Sequence, residues 1–211
     1  MRLLFAYSGH FECNGDLSTT DCASRTKAHR PGGFSYIQGS EKEKMTPTNI
    51  RVRPGLATDA EVIACIYNYC IQNTVITFEE EPVSAQTMAA RLAEVQNASL
   101  PWLVAELDGV LVGYAYASKW KVRSAYRYSV ETTIYLEHGR EGIGIGKRLY
   151  SDLLSLLRAG GIHVAIGGAA LPNEASAALH EKLGFERVAR FHQVGFKHNR
   201  WVDVAYWQLV L

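Results

Sequence analysis

The chain has 211 residues, 47% of them apolar and 20% charged, with a formal net charge of +1. That length and composition fit a globular protein with one main domain and a sizeable core, while the charge balance argues against nucleic acid as a partner, because phosphate binding leaves a basic footprint. No apolar run approaches the ~20 residues of a membrane span, and Met1-Arg2-Leu3-Leu4-Phe5-Ala6 is too short an apolar start to act as a secretory signal, so no membrane partner and a cytoplasmic location are expected. Residues 1–44 are polar and glycine-bearing, without sustained periodicity, and are predicted to be a disordered tail. Met45 follows at once, and the expectation is that it is the natural start or that the tail is an accessory segment.

From there Ile50 to Arg53 reads as a strand, and Thr58-Asp59-Ala60-Glu61 as a capping box that opens a helix running to about Gln72. A second helix is predicted over Ser84 to Gln96. Strands over Trp102 to Leu107 and Val110 to Ser118 are joined by the hairpin signal Asp108-Gly109. The segment 130–137 alternates as a strand, with Glu131, Thr133 and Tyr135 on one face. A helix over 145–159 follows, its Leu149, Leu153, Leu154, Leu156 and Leu157 at helical spacing up to Gly160-Gly161. A strand over 162–168, a helix over 174–183 capped by Asn173, and two last strands complete the order. Helices alternating with strands, with hairpins at both ends, predict an α/β architecture: a mixed sheet flanked by helices.

The most informative stretch is Glu141-Gly142-Ile143-Gly144-Ile145-Gly146-Lys147, between a predicted strand and a predicted helix. Glycines there let the backbone turn tightly, and the first free amides of the helix point at any negative charge in front of them. A diphosphate suits such a place. Two familiar phosphate signatures fail: Gly146-Lys147 is followed by Arg148 rather than Ser or Thr, and the dinucleotide spacing lacks its third glycine. A glycine loop with structural duties alone stays open on this stretch by itself.

Downstream, Leu171-Pro172-Asn173-Glu174-Ala175-Ser176 to Leu183-Gly184-Phe185 reads as a turn, a capped helix and a glycine stop. Together the two stretches resemble the acyl-CoA-binding half of the GNAT acetyltransferase superfamily, with Glu141 standing where that family usually has Gln or Arg. The resemblance extends to the phosphinothricin and methionine sulfoximine N-acetyltransferase group. It is carried by Thr74-Val75-Ile76-Thr77-Phe78 with Glu81-Pro82, Pro101 to Glu106, Trp120 to Tyr126, Val130 to Tyr135, and Gly195 to Trp201, in that group's order from about Ile50 to Leu211.

The resemblance implies a GNAT fold, a central mixed, mostly antiparallel sheet flanked by helices, over residues 45–211. It also implies acetyl transfer from acetyl-CoA, by direct attack, to the α-amine of a small amino acid or analogue. Such a transfer needs a base for the ammonium proton, donors for the thioester oxygen, and an acid for the departing thiolate. Glu131 is the candidate base. His180 is the candidate that protonates the thiolate or relays a proton. For the cofactor, the resemblance implies the loop Glu141, Gly142, Ile143, Gly144, Ile145, Gly146 and Lys147, the strand backbone at Ile134, Tyr135 and Leu136, and Asn173 with Ser176 on the second helix. Arg123 and Tyr126 would read the acceptor, Arg123 through its carboxylate, and Phe78 and Tyr135 would form pocket walls. Each has a plainer alternative: an exposed strand carboxylate, an idle helix histidine, a solvated basic loop, core aromatics.

No metal is expected, since the histidines lack ligand spacing, and the cysteines Cys13, Cys22, Cys65 and Cys70 offer neither Cys-x-x-Cys spacing nor a ping-pong nucleophile. A homodimer follows from the resemblance alone. Two rival readings remain: a different amine acceptor (protein N-terminus, polyamine or antibiotic) or a non-catalytic acyl-CoA sensor.

Overall fold

The computed structural model describes residues 49–211; the predicted tail, and with it the boundary at residue 45, lies outside them. The elements run β1 (Ile50–Pro54), α1 (Ala60–Asn73), α2 (Ala85–Asn97), β2 (Trp102–Leu107), β3 (Val110–Lys119), β4 (Ser129–Leu136), α3 (Ile145–Ala159), β5 (Val164–Ala170), α4 (Glu174–Lys182), β6 (Glu186–Lys197) and β7 (Arg200–Val210). The strands form one seven-stranded sheet in the order β1-β2-β3-β4-β5-β7-β6. Every pairing is antiparallel except β4 with β5. The expected fold class is therefore observed.

Alternation along β2 and β3 divides the core between the two faces of the sheet. Leu103, Ala105, Val112 and Ala115 pack against Leu149, Leu153 and Leu157 of α3. Trp102, Val104 and Tyr114 pack against Ile63, Tyr67 and Ile71 of α1 and Met88 and Leu92 of α2. Each such leucine contributes roughly 1.5–3 kcal/mol of burial, which makes α3 the main brace of its face. On the opposite face α1 and α2 cover β2, β3 and β4; the cavity described below lies beside them, with walls from β5, β7 and β6.

Two boundaries differ from expectation. The Thr58 capping box does not form. Instead the chain makes a 3-10 turn over Ala57–Asp59, and the Asp59 carboxylate accepts the Leu56 N–H at 2.8 Å while pairing with Arg53 at 2.7 and 2.9 Å. Arg53 also donates to Glu106 at 2.7 Å, so this carboxylate is recruited by an ion-pair network that sequence spacing cannot reveal. β5 starts two residues later than predicted, because Ile162 and His163 are taken up by the turn after α3: their N–H groups donate to Leu157 and Tyr128 carbonyls at 3.0 and 2.9 Å. Among the described residues no helix is long and apolar enough to cross a membrane.

Candidate active site

The glycine loop opens α3 as expected. Gly142 and Gly144 have φ of +79° and +94°, a left-handed backbone that side chains resist, and Gly144 is the N-cap. The first helical hydrogen bond runs from Arg148 N–H to the Gly144 carbonyl at 3.1 Å, so the N–H groups of Ile145, Gly146 and Lys147 have no carbonyl one turn back. They point out of the N-terminus with the helix dipole behind them. Glu141, Gly142, Ile143, Gly144 and Lys147 are exposed there. Ile145 is not: its side chain is fully buried in the α3 core, and only its amide faces the loop. Gly146 sits under Leu179, Leu136 and Ile134, which packs the start of α3 onto β4 and α4.

β4 and β5 are paired only over Ser129–Thr132 and Val164–Gly167. Past Thr132 and Gly167 they part, so one backbone edge of Thr133, Ile134, Tyr135 and Leu136 is left without a strand partner, while their other edge pairs with β3. This wedge starts at Glu131–Thr132 and opens toward the glycine loop. The Tyr135 side chain packs toward α1. It is packed edge-on against Tyr67 at 5.2 Å and over Tyr114 at 5.4 Å, and burial foremost drives its phenol pKa far up; it is a core aromatic of the α1 face.

Glu131 lies at the point of the wedge, half-buried on the face away from α3. Burial raises its pKa above the ordinary carboxylate value, opposed by the positive charge of Lys121. Its register partner on β5 is Ile166, and Ile166 lines a cavity of about 340 Å³ together with Trp120, Lys121, Val188, Ala189, Phe191, Tyr206 and Gln208. Lys121 Nζ lies 4.5 Å over the Trp120 ring, and Tyr206 meets Trp120 and Phe191 edge-on at 5.8 and 5.7 Å. Sequence reasoning assigned no role to Trp120, Lys121, Phe191 or Tyr206. The first two stand at the end of the β3 alternation and were within reach; Phe191 and Tyr206 come from distant strands and carry no local signal.

Like Tyr135, the other three predicted acceptor residues fall outside this cavity's lining. Arg123 and Tyr126 are exposed on and beside the 3-10 turn Ser124–Tyr126, because the chain swings into solvent after Lys121. Phe78 lies with its ring against Gly195 of β6, in a segment pinned by three contacts. Thr77 Oγ1 meets the Tyr67 hydroxyl at 2.8 Å, Lys197 Nζ donates to the Thr77 carbonyl at 2.8 Å, and Arg91 grips Glu79 at 2.9 and 3.1 Å.

His180 is buried on the other side of the wedge, at 3% exposure. Its Nδ1 lies 2.7 Å from the Ser176 carbonyl, which can only accept, so Nδ1 carries a proton. Nε2 then accepts from the Tyr150 hydroxyl at 3.1 Å. The Tyr150 oxygen in turn accepts from Thr132 Oγ1, and the Thr132 hydroxyl lies 3.2 Å from the Ile166 carbonyl. This chain ends within the last two register pairs of β4 and β5. The imidazole stacks on Trp207 at 5.3 Å and needs the bare Gly167, where a Cβ would come within 2.1 Å of Nε2. Burial lowers its pKa, against a smaller opposite effect of the Ser176 carbonyl, so the ring is neutral at neutral pH. Asn173 caps α4 by accepting the Ser176 N–H at 3.0 Å. Tyr150 and Thr132 were missed because a helix tyrosine and a strand threonine at core spacing look like packing.

An anion-ready helix start, a parting pair of parallel strands and a half-buried carboxylate at their junction define an acyl-transfer architecture. Residues 56–206 match the acetyltransferase (GNAT) domain. The chain is 38% identical to a phosphinothricin N-acetyltransferase of Streptomyces viridochromogenes, over 75% of this chain and 86% of that protein. It is 35% identical to an L-methionine sulfoximine/L-methionine sulfone acetyltransferase of Salmonella typhimurium, over 72% and 90%. A GNAT superfamily phosphinothricin acetyltransferase of Sinorhizobium meliloti, solved in complex with acetyl-CoA, superposes with a TM-score of 0.75 at 39% identity, covering 79% of this chain and 89% of that one. The chain belongs to the GNAT acetyltransferase family and is an N-acetyltransferase, in which acetyl-CoA is the co-substrate.

Proposed function

We propose that the protein acetylates the α-amine of a small amino acid or analogue, with phosphinothricin and methionine sulfoximine, the acceptors named for its relatives, as the leading candidates. Acetyl-CoA, when bound, supplies the activated acetyl thioester. The amides of Ile145, Gly146 and Lys147 hold its diphosphate, aided by the bend at Gly142–Gly144. The open backbone edge of Ile134–Leu136 and the Asn173–Ser176 turn guide its pantetheine toward Glu131. Ile143 borders the loop, and Glu141 tolerates the phosphates at arm's length.

Glu131 takes the ammonium proton, and a carboxylate with a raised pKa is a better matched base than an ordinary one. The single observation carrying this reading is that Glu131 joins the wedge to the cavity walled by Trp120, Phe191 and Tyr206. Lys121 is the cation nearest the acceptor carboxylate, with Arg123 and Tyr126 at the rim and Phe78 on the adjoining segment. A neutral His180 with both nitrogens engaged suits relaying through Tyr150 and Thr132 better than direct protonation. We take residues 45–211 as the catalytic domain and the cytoplasm as its location. A homodimer through β6 is also proposed, since this outermost strand exposes Val188, Phe191, Val194 and Phe196.

Thiol release from acetyl-CoA across a panel of phosphinothricin, methionine sulfoximine, ordinary amino acids, a polyamine and an N-terminal peptide tests the reading. Fastest turnover with the first two supports it; preference for the polyamine or peptide reassigns the acceptor, and no turnover with any of them contradicts it.

A further inference from the structure

The outermost strand β6 does not run straight. Its register against β7 slips between Phe191, opposite Val204, and Gly195, opposite Val202, so His192, Gln193 and Val194 face the single residue Asp203. Gln193 is left at φ +51°, a conformation that non-glycine residues resist. One carboxylate gathers the irregular segment. Asp203 Oδ1 accepts the Gln193 N–H at 2.8 Å, Oδ2 accepts Arg190 Nε and Nη2 at 2.8 and 2.6 Å, and His192 Nδ1 lies 3.2 Å from Oδ2. The Asp203 carbonyl accepts the Leu171 N–H at 2.8 Å, a main-chain bond in which the carboxylate takes no part.

Two walls stand on either side of this bulge. Phe191 lines the cavity beside Glu131 and meets Tyr206 edge-on at 5.7 Å. Gly195 receives the Phe78 ring so closely that a Cβ there would lie 2.3 Å from it. Phe191 and Gly195 share a face of the sheet with or without the bulge; what the bulge sets is their position along β7, because losing its two extra residues would slide one of them by two residues, roughly 6.6 Å, away from Tyr206 or from the Phe78 ring.

We propose that Asp203 is a positioning residue for the acceptor: by holding the β6 bulge it keeps Phe191 at its place along β7, against Tyr206 in the cavity wall, an inference that rests on reading the Trp120–Phe191 cavity as the acceptor site. The carboxylate touches neither substrate nor Glu131; it acts through the strand. Because the acetyl-CoA wedge lies across β5 from the bulge, loss of the clamp is felt by the acceptor and not by the donor.

The test compares Asp203→Asn and Phe191→Ala with the wild type in acceptor KM, acetyl-CoA affinity and amide hydrogen exchange over residues 191–195. Asp203→Asn should raise acceptor KM about tenfold, speed exchange at Gln193 and leave acetyl-CoA affinity unchanged. Adding Gln193→Gly, which removes the cost of the positive φ, should restore part of the KM. If Phe191→Ala raises KM and Asp203→Asn does not, the acceptor cavity stands and the role of Asp203 falls. If neither changes KM, both fall. Should Asp203→Asn not fold, Arg190→Gln removes two of the donors from an exposed side chain and must raise the acceptor KM in the same direction; an unchanged KM there also overturns the inference.

Discussion

At the α3 end of the site the ligand-facing groups are backbone amides, presented by two left-handed glycines and the start of one helix. At the Glu131 end they are side chains delivered by the segment after β3 and by β4, β5, β6 and β7. The donor end is local, so a few adjacent residues specify it, and under the proposed reading an atypical Glu141 is tolerated because the holding groups are backbone amides. The acceptor end is assembled across the sheet, so its shape depends on register, on a bulge and on where a loop leaves β3. A site of the first kind suits a constant ligand and one of the second kind a variable one.

The largest effect that separates the two ends is expected at Gly144. A valine at φ +94° is both strained and in the way of a phosphate, and Gly144→Val should weaken acetyl-CoA binding roughly 100-fold. Calorimetric titration with CoA checks this; unchanged affinity in a folded variant would remove the backbone account of the donor end. Next comes the acceptor end, where Lys121→Ala should raise the KM of an amino acid about tenfold and that of its carboxamide much less, a charge that lines the cavity being removed. Arg123→Ala, at an exposed position, should show the same acid-to-amide pattern more weakly. Equal ratios in all three proteins would mean that neither cation reads a carboxylate.

A smaller effect concerns His180, which bridges the two ends. Its native pKa is lowered from 6.5 by burial, so below that value the unfolded chain takes up a proton that the native state resists. Stability is complete above the unfolded pKa and falls as pH drops through it, at up to about 1.4 kcal/mol per pH unit. Melting between pH 7.5 and 5 should therefore show a steeper decline in wild type than in His180→Gln; parallel declines would mean that the imidazole is protonated in the native state. The smallest change is Glu141→Gln. Removing an exposed like charge beside the diphosphate should tighten acetyl-CoA roughly threefold at low salt, fading as salt is added.

The same contrast explains what the sequence disclosed. Helix α3, the glycine loop, the Asn173 cap and the Asp108-Gly109 hairpin follow from neighbours in the chain and could be read directly. Glu131 was legible because a carboxylate interrupts a neutral strand and matches the family's motif. Tyr135 and Phe78 could not be sorted between wall and core by residue type, since aromatic rings serve both, and only packing against Tyr67 and Tyr114 or against Gly195 decides. The basic stretch after β3 hid a similar ambiguity: Lys121 stays at the cavity and Arg123, two residues on, leaves it. Tyr150 and Thr132 joined the site only when α3, β4 and α4 were brought together around His180.

The central claim is that Glu131 is the base at the junction of wedge and cavity. The most direct measurement is kcat/KM for phosphinothricin against pH in wild type and Glu131→Gln, with acetyl-CoA affinity measured alongside. The account predicts equal acetyl-CoA affinity, a loss of roughly 100-fold or more in the variant near neutral pH, and a gap that narrows at high pH, where the amine is already deprotonated. In the wild type the rate should rise with pH through a carboxylate pKa above the ordinary glutamate range, because burial raises it. A Gln variant with the wild-type rate and the wild-type pH profile would contradict the account.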